Sequence, residues 1–256
     1  MGAVRNNLNA GSALEDPATT WTYTLSFTPT AGRCLLMYIQ CNSTLSITSI
    51  TQGGSSAAWT LITSSAVANN NIYVYALTDT PSGSNTTVTM VLGSANNFFS
   101  TIIEEVTGLV AVAANLLDKS STSSGTGNTY QTGTTAATVT NDEYWVNIYS
   151  WYDSSLFAEP VGASPTNSYS LATPNPVTIN TGGWTGAGGL PFLAFGAGQI
   201  MAYRIVTTTG TAGGNVTDGN AGGLPYNGLA IALNATASVP GSINTRRRMV
   251  MPAVMM

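Results

Sequence analysis

Short runs in which apolar and polar residues alternate, each closed by glycine, proline, asparagine or serine, recur along almost the whole chain. That pattern leaves little room for anything but antiparallel β-sheet. Trp21–Phe27 shows it most cleanly, with Trp21, Tyr23, Leu25 and Phe27 on one face and Thr22, Thr24 and Ser26 on the other. Pro29–Gly32 turns the chain into an apolar run, Cys34–Cys41. Further strands are expected at Leu45–Thr51, Trp59–Thr63, Ile72–Thr78, Thr86–Leu92 and Phe98–Val106, then at Thr134–Thr140, Glu143–Tyr152, Gln199–Thr207 and Gly228–Ala235. Residues 109–117 are the best helix candidate, although short and poorly capped. Ser120–Gly133 reads as a polar surface loop, and 153–198 as a long irregular stretch rich in proline, glycine and aromatics. No fixed period repeats and no linker divides the chain. The pattern therefore predicts a single jelly-roll-like antiparallel β-sandwich over residues 20–238, with extended arms at 1–19 and 239–256.

Charge narrows the function. Only 7% of the 256 residues are charged, there is no histidine and there is one lysine, Lys119. Soluble domains usually carry about 25% charged residues, so Ser, Thr, Asn and Gly must keep this exterior wet. Lacking histidine, the chain cannot build a Ser–His–Asp or Cys–His arrangement by itself. A two-carboxylate glycosidase mechanism needs no histidine, and Glu104, Glu105, Asp118, Asp142, Asp153 and Glu159 could supply its acids. They show no recognisable spacing. Glu104 and Glu105 are neighbours in a strand and must point to opposite faces, one expected toward solvent and one inward, near a turn or Arg204. Asp142 and Glu143 precede a strand, where acidic residues commonly bind backbone amides. No catalytic residue, cofactor or metal site is expected. Asp218-Gly-Asn220 reads as a turn rather than a calcium loop.

Cys34 and Cys41 flank a strand of seven steps, roughly 23 Å long, far beyond disulfide reach and on opposite faces. Both are expected as free thiols. Four Asn-x-Ser/Thr sequons, at Asn42, Asn85, Asn215 and Asn234, are close to chance in so Asn- and Thr-rich a chain. Aromatics gather at Tyr144, Trp145, Tyr149, Trp151 and Tyr152, then at Phe157, Tyr169 and Trp184. Exposed, they would stack on sugars; the shared parity of 145, 149 and 151 places those three in a core instead. The glycine-rich 182–192 and 213–225 segments lack the lysine and following helix of a phosphate loop and read as end loops suited to intersubunit contact.

The C-terminus is the most distinctive local segment. Arg246, Arg247 and Arg248 are followed by Met249, Met251, Met255 and Met256. Without those arginines, four basic residues face eleven acidic ones, a net of −7, so the tail opposes its own body in sign. Three arginines are a short footprint for nucleic acid, whereas methionine adapts to protein surfaces. These seven residues are expected to bind a partner, another subunit or another protein. The N-terminus lacks the apolar core of a secretory signal, and no stretch reaches the roughly 20 apolar residues of a membrane span.

Several segments occur in a familiar succession: Thr30–Leu36, Ile47–Gln52 leading to Trp59-Thr60, Ile72–Ala76, Thr87–Met90, Ile103–Leu109 and Asp142–Val146. This order resembles a broad group of jelly-roll β-sandwich domains in tailed-bacteriophage virion proteins and related bacterial surface proteins. The resemblance covers about residues 20–236, and none of its motifs is catalytic. It implies a structural or adhesive module of a phage capsid or tail, above all a capsid decoration or cement protein. Such a protein would be made in the host cytoplasm, act on the virion surface, bind the major capsid protein or another virion protein, and self-associate. A fibre module binding host glycans and a carbohydrate-active enzyme are the rival expectations.

Overall fold

The computed structural model describes residues 2–10, 18–41, 46–67, 70–96, 99–153, 164–165, 170–171, 178–180, 183–185, 196–217 and 223–236. In the first half the strands are β1 (Val4–Ala10), β2 (Ala18–Thr24), β3 (Cys34–Cys41), β4 (Ile47–Gln52), β5 (Ala57–Ala58), β6 (Thr60–Ser65), β7 (Asn71–Leu77), β8 (Thr87–Asn96) and β9 (Phe99–Thr107). The second half holds β10 (Leu117–Gly127), β11 (Thr129–Thr134), β12 (Glu143–Asp153), β13 (Ser164–Pro165), β14 (Ser170–Leu171), β15 (Thr178–Asn180), β16 (Gly183–Thr185), β17 (Gly196–Val206), β18 (Gly213–Thr217) and β19 (Leu224–Asn234). Every pairing is antiparallel.

The protein is all-β, as its alternation predicts, but two sheets do not suffice to describe it. A first inner sheet has the order β1-β9-β3-β7-β6, and a first outer sheet the order β2-β8-β4-β5. The second inner sheet runs β10-β19-β12-β17-β14, the second outer sheet β11-β18-β13, and β15-β16 is a separate ribbon. Three cores separate the four main layers. Trp21, Tyr23, Leu35, Met37, Ile39 and Val88 fill the first sandwich. Leu36, Tyr38, Val74, Tyr144, Ile148 and Ile231 join the two inner sheets face to face. Tyr130, Trp145, Tyr149, Trp151, Val216 and Tyr226 fill the second sandwich. The expected single sandwich is thus corrected to a stack of two, outer–inner–inner–outer. The reason lies in the inner strands: all eight residues of β3 are buried, and odd and even positions feed different cores. A strand covered on both faces reads as a continuous apolar run.

Four further expectations change. Val4–Ala10, expected as part of an arm, is the edge strand β1, paired with β9 from Val4↔Thr107 to Ala10↔Ile102. The helix candidate contracts to a 3-10 turn, Ala113–Asn115, without a side-chain cap. Ser120–Gly133, expected as a loop, lies in β10 and β11. Ser120–Gly127 follows Ile231–Leu224 residue for residue, so backbone pairing to an apolar neighbour holds a segment whose side chains say turn. The expected strand Thr134–Thr140 does not form, since β11 ends at Thr134. Its Thr135 and Thr138 instead bond the backbone of Ala212 and Gly210.

Glycine permits the closest crossing between layers. A Cβ on Gly228 of β19 would lie 1.9 Å from the Gln131 carbonyl oxygen of β11, so only a bare backbone lets the second outer sheet cross there.

Candidate functional site

The seam between the inner sheets holds one buried carboxylate and a group of buried amides. At one end Glu104 of β9, fully buried, points across the seam. Tyr38 of β3 donates to its Oε1 at 2.6 Å, and Tyr144 of β12 donates to Oε2 at 2.8 Å. The Arg5 Nε of β1 lies 3.2 Å from Oε2, but its N–H is not aligned as a hydrogen bond, so charge attraction is what it supplies. The Arg5 guanidinium also lies 4.9 Å over the Tyr203 ring of β17, and Tyr203 packs on Tyr144 with ring centroids 5.5 Å apart. Burial pushes the Glu104 carboxyl above its ordinary range, and Tyr38, Arg5 and Tyr144 pull it back. One carboxylate thereby ties strands of both halves.

The other end of the seam is a closed amide network. Asn227 of β19 accepts from Ser65 Oγ at 2.8 Å, and its amide donates to the carbonyls of Asn70 at 2.7 Å and Ser65 at 3.2 Å. Asn70 donates to the Ser150 carbonyl at 2.9 Å and accepts from Ser150 Oγ at 2.6 Å. Polar groups in a dry interface are costly unless paired, and here each bond crosses from one half to the other.

Glu105 faces the opposite way, into the first sandwich, and it too is fully buried. It accepts from Arg33 Nη1 at 2.6 Å, from the Thr30 amide at 2.7 Å and from Asn7 Nδ2 at 3.0 Å. The neighbouring carboxylates therefore do point apart, but neither reaches solvent as expected of one of them, because β9 has β1 and β3 on either side and sheets over both faces. Arg5, rather than Arg204, is the cation beside Glu104. The Arg204 guanidinium lies 5.6 Å over Trp145.

A third acidic group closes the second sandwich. Glu143, fully buried, accepts from Trp145 Nε1 at 2.6 Å and from Thr140 Oγ1 at 2.9 Å. It shares a hydrogen bond with Asp118, and burial, reinforced by that neighbour, raises its pKa. Asp118 is held low: burial opposes ionisation, but the Val139 amide at 2.7 Å and Lys119 Nζ at 2.9 Å outweigh it. Among the described candidate side chains, Asp118 is the one brought against another carboxyl, that of Glu143. Asp142 contributes a backbone bond to Ala235, Asp153 ends β12, and Glu159 lies outside the described residues.

Cys34 and Cys41 form no disulfide and are buried in different cores, as their spacing requires. Tyr144, Trp145, Tyr149 and Trp151 are core residues; Phe157 and Tyr169 lie outside the described residues, and only the backbone of Tyr152 and Trp184 is described. Arg246, Arg247, Arg248, Met249, Met251, Met255 and Met256 all lie outside them as well. Tyr38, Arg5, Asn70, Ser150 and Asn227 are site residues that no motif in the sequence marks. The signal they left is a polar residue inside an otherwise apolar strand, at Tyr38 and Ser150 above all.

Among the described residues no three His, Cys, Asp or Glu side chains gather to hold a metal ion, and no helix is long and apolar enough to cross a membrane. The fold and seam define a class: an all-β protein of several antiparallel sheets whose buried acids act as internal anchors. Beyond that class, no family model, no curated protein and no solved structure matches the chain.

Proposed function

We propose that this protein is a structural virion component of a tailed bacteriophage, a capsid decoration or cement protein, built from two jelly rolls stacked face to face. The jelly-roll reading rests on strand order. Setting β6 aside, the first half has eight strands arranged 1-8-3-6 in one sheet and 2-7-4-5 in the other, the wrapping of two Greek keys. In the second half β10, β11, β12, β13, β17, β18 and β19 take the places 1-8-3-6 and 2-7-4.

The structural role is carried by the placement of the acids. Glu104, Glu105 and Glu143 are buried and each is bound by internal donors, so they serve cohesion. Around them lies a neutral Ser- and Thr-rich exterior, suited to close packing against other subunits. In this reading the C-terminal arginines and methionines hold the protein to the capsid. Purified protein added to particles that lack it should bind in hundreds of copies, and a chain ending at residue 240 should fold but not attach. A handful of copies together with hits on a glycan array would replace this reading with the fibre module.

A further inference from the structure

We propose that β10 is a self-pairing edge through which two copies of this chain join into a continuous sheet. Among the described residues β10 pairs on one side only, with β19. Its length of 11 residues makes it twice a typical strand of about 5–6 residues. Edges of this kind are ordinarily blunted by lysine, proline, bulges or brevity. In β10 the bulge and the charged pair Asp118–Lys119 sit together at the first residues. From Ser120 to Gly127 there is no charge, no proline and no register break, and Ser120, Thr122, Ser124, Gly125 and Thr126 are exposed.

A second copy fits this edge for two reasons. Antiparallel pairing of β10 with itself sets small neutral side chains opposite small neutral side chains, so the backbones reach the roughly 4.8 Å strand spacing without repulsion. A twofold axis along the sheet normal also keeps every layer opposite its own copy, as an isologous contact requires. The flank has depth as well: β6, the edge of the first inner sheet, packs on β10 and β19, and it carries Leu61, a large apolar side chain left 47% exposed. Eleven residues of strand span about 36 Å and four layers about 30 Å. The flank therefore offers on the order of 1,000 Å², against the roughly 800 Å² per partner of a stable interface.

Light scattering on the full chain reads this directly, since the monomer is 26.4 kDa. The wild type is expected at twice that mass. The variant T122K/S124K, altered only at exposed side chains, sets like charges across the pair and should dissociate on the order of 100-fold more readily. Mixing it with T122E/S124E should restore the dimer, which shows that both variants fold. A wild type that stays monomeric at its highest soluble concentration overturns the proposal. So does a lysine variant that dimerises as well as the wild type, or a dimer lost only when residues 237–256 are removed, which would assign the contact to the tail. None of these outcomes depends on attachment to a capsid.

Discussion

Replacing Tyr144 by Phe tests the seam at a single atom. The hydroxyl donates to Glu104 at 2.8 Å and is wholly buried. Its removal leaves the ring in place against Tyr203, so cavity formation contributes little and the loss is the hydrogen bond itself. Tyr38 still donates from the other half at 2.6 Å. A bond to an ionised group is worth about 1.5–3 kcal/mol, and one to a neutral group about 0.5–1.5 kcal/mol. Which applies depends on pH, because burial raises Glu104 above its ordinary 4.5. Below that value the carboxyl is protonated in both the folded and the unfolded chain, and the stability it contributes is fully present. As pH climbs toward the raised folded value, the unfolded chain releases its proton first, and stability falls. Tyr144 is one of the groups that favour the ionised form, so its loss raises the folded value further and steepens the fall.

The expected penalty of Tyr144→Phe is therefore about 1 kcal/mol at acid pH, where the carboxyl is protonated, growing to about 2–3 kcal/mol once the pH passes the raised folded value. Urea unfolding followed by tryptophan fluorescence at a series of pH values measures it. A penalty that is flat across the series would refute the assignment of Glu104 as the titrating group. A penalty below about 0.5 kcal/mol at the upper end, the range of an ordinary surface substitution, would refute the bond.

Gly228→Ala drives a methyl into the Gln131 carbonyl; it should cost about 3 kcal/mol or more, at the upper end of overpacking, read as a fall in the urea midpoint. Asn227→Ala removes three cross-seam bonds and leaves their partners buried and unpaired, so a loss of about 2–4 kcal/mol is expected in the same assay. Burial pushes the Cys34 thiol well up and Cys41 is equally enclosed; a thiol-disulfide reagent should find neither in the native protein and both after denaturation.

Much of the first half was legible because its strands obey simple rules. Trp21, Tyr23 and Leu25 are buried and Thr22 and Thr24 exposed, as their alternation demands, and the cysteines sit where strand geometry sends them. The errors have two physical causes. The first is tertiary override: Ser120–Gly127 carries turn-forming side chains, yet its pairing with the apolar β19 makes it strand, and nothing local announces that partner. The second is the doubling of faces. Alternation sends one of Glu104 and Glu105 inward and one outward because a sandwich strand has one wet face, and β9 has none. The amide network was illegible for a different reason: Asn70, Ser150 and Asn227 are far apart in sequence, and only the packing of the inner sheets makes them neighbours.

The stacking also accounts for the repeat that periodicity hides. The two inner sheets share one order: the half's first strand, its last, its third, then its last but two, β1-β9-β3-β7 against β10-β19-β12-β17. Yet β3 and β12 are eight and eleven residues long, and the second half inserts the β15–β16 ribbon between β14 and β17, so no fixed residue interval relates them. What the halves share is an inner sheet apolar on both faces, which neither could expose alone. Joining such faces through a purely apolar core would leave the relative register free to slide. The Glu104 cluster at one end and the Asn227 network at the other remove that freedom, because a shift of one residue would strand a carboxylate and several amides without partners in a dry interface. Part of the little charge this chain carries is thus internal: Glu104, Glu105 and Glu143 lie buried within the stack, and Glu104 holds its two halves in register.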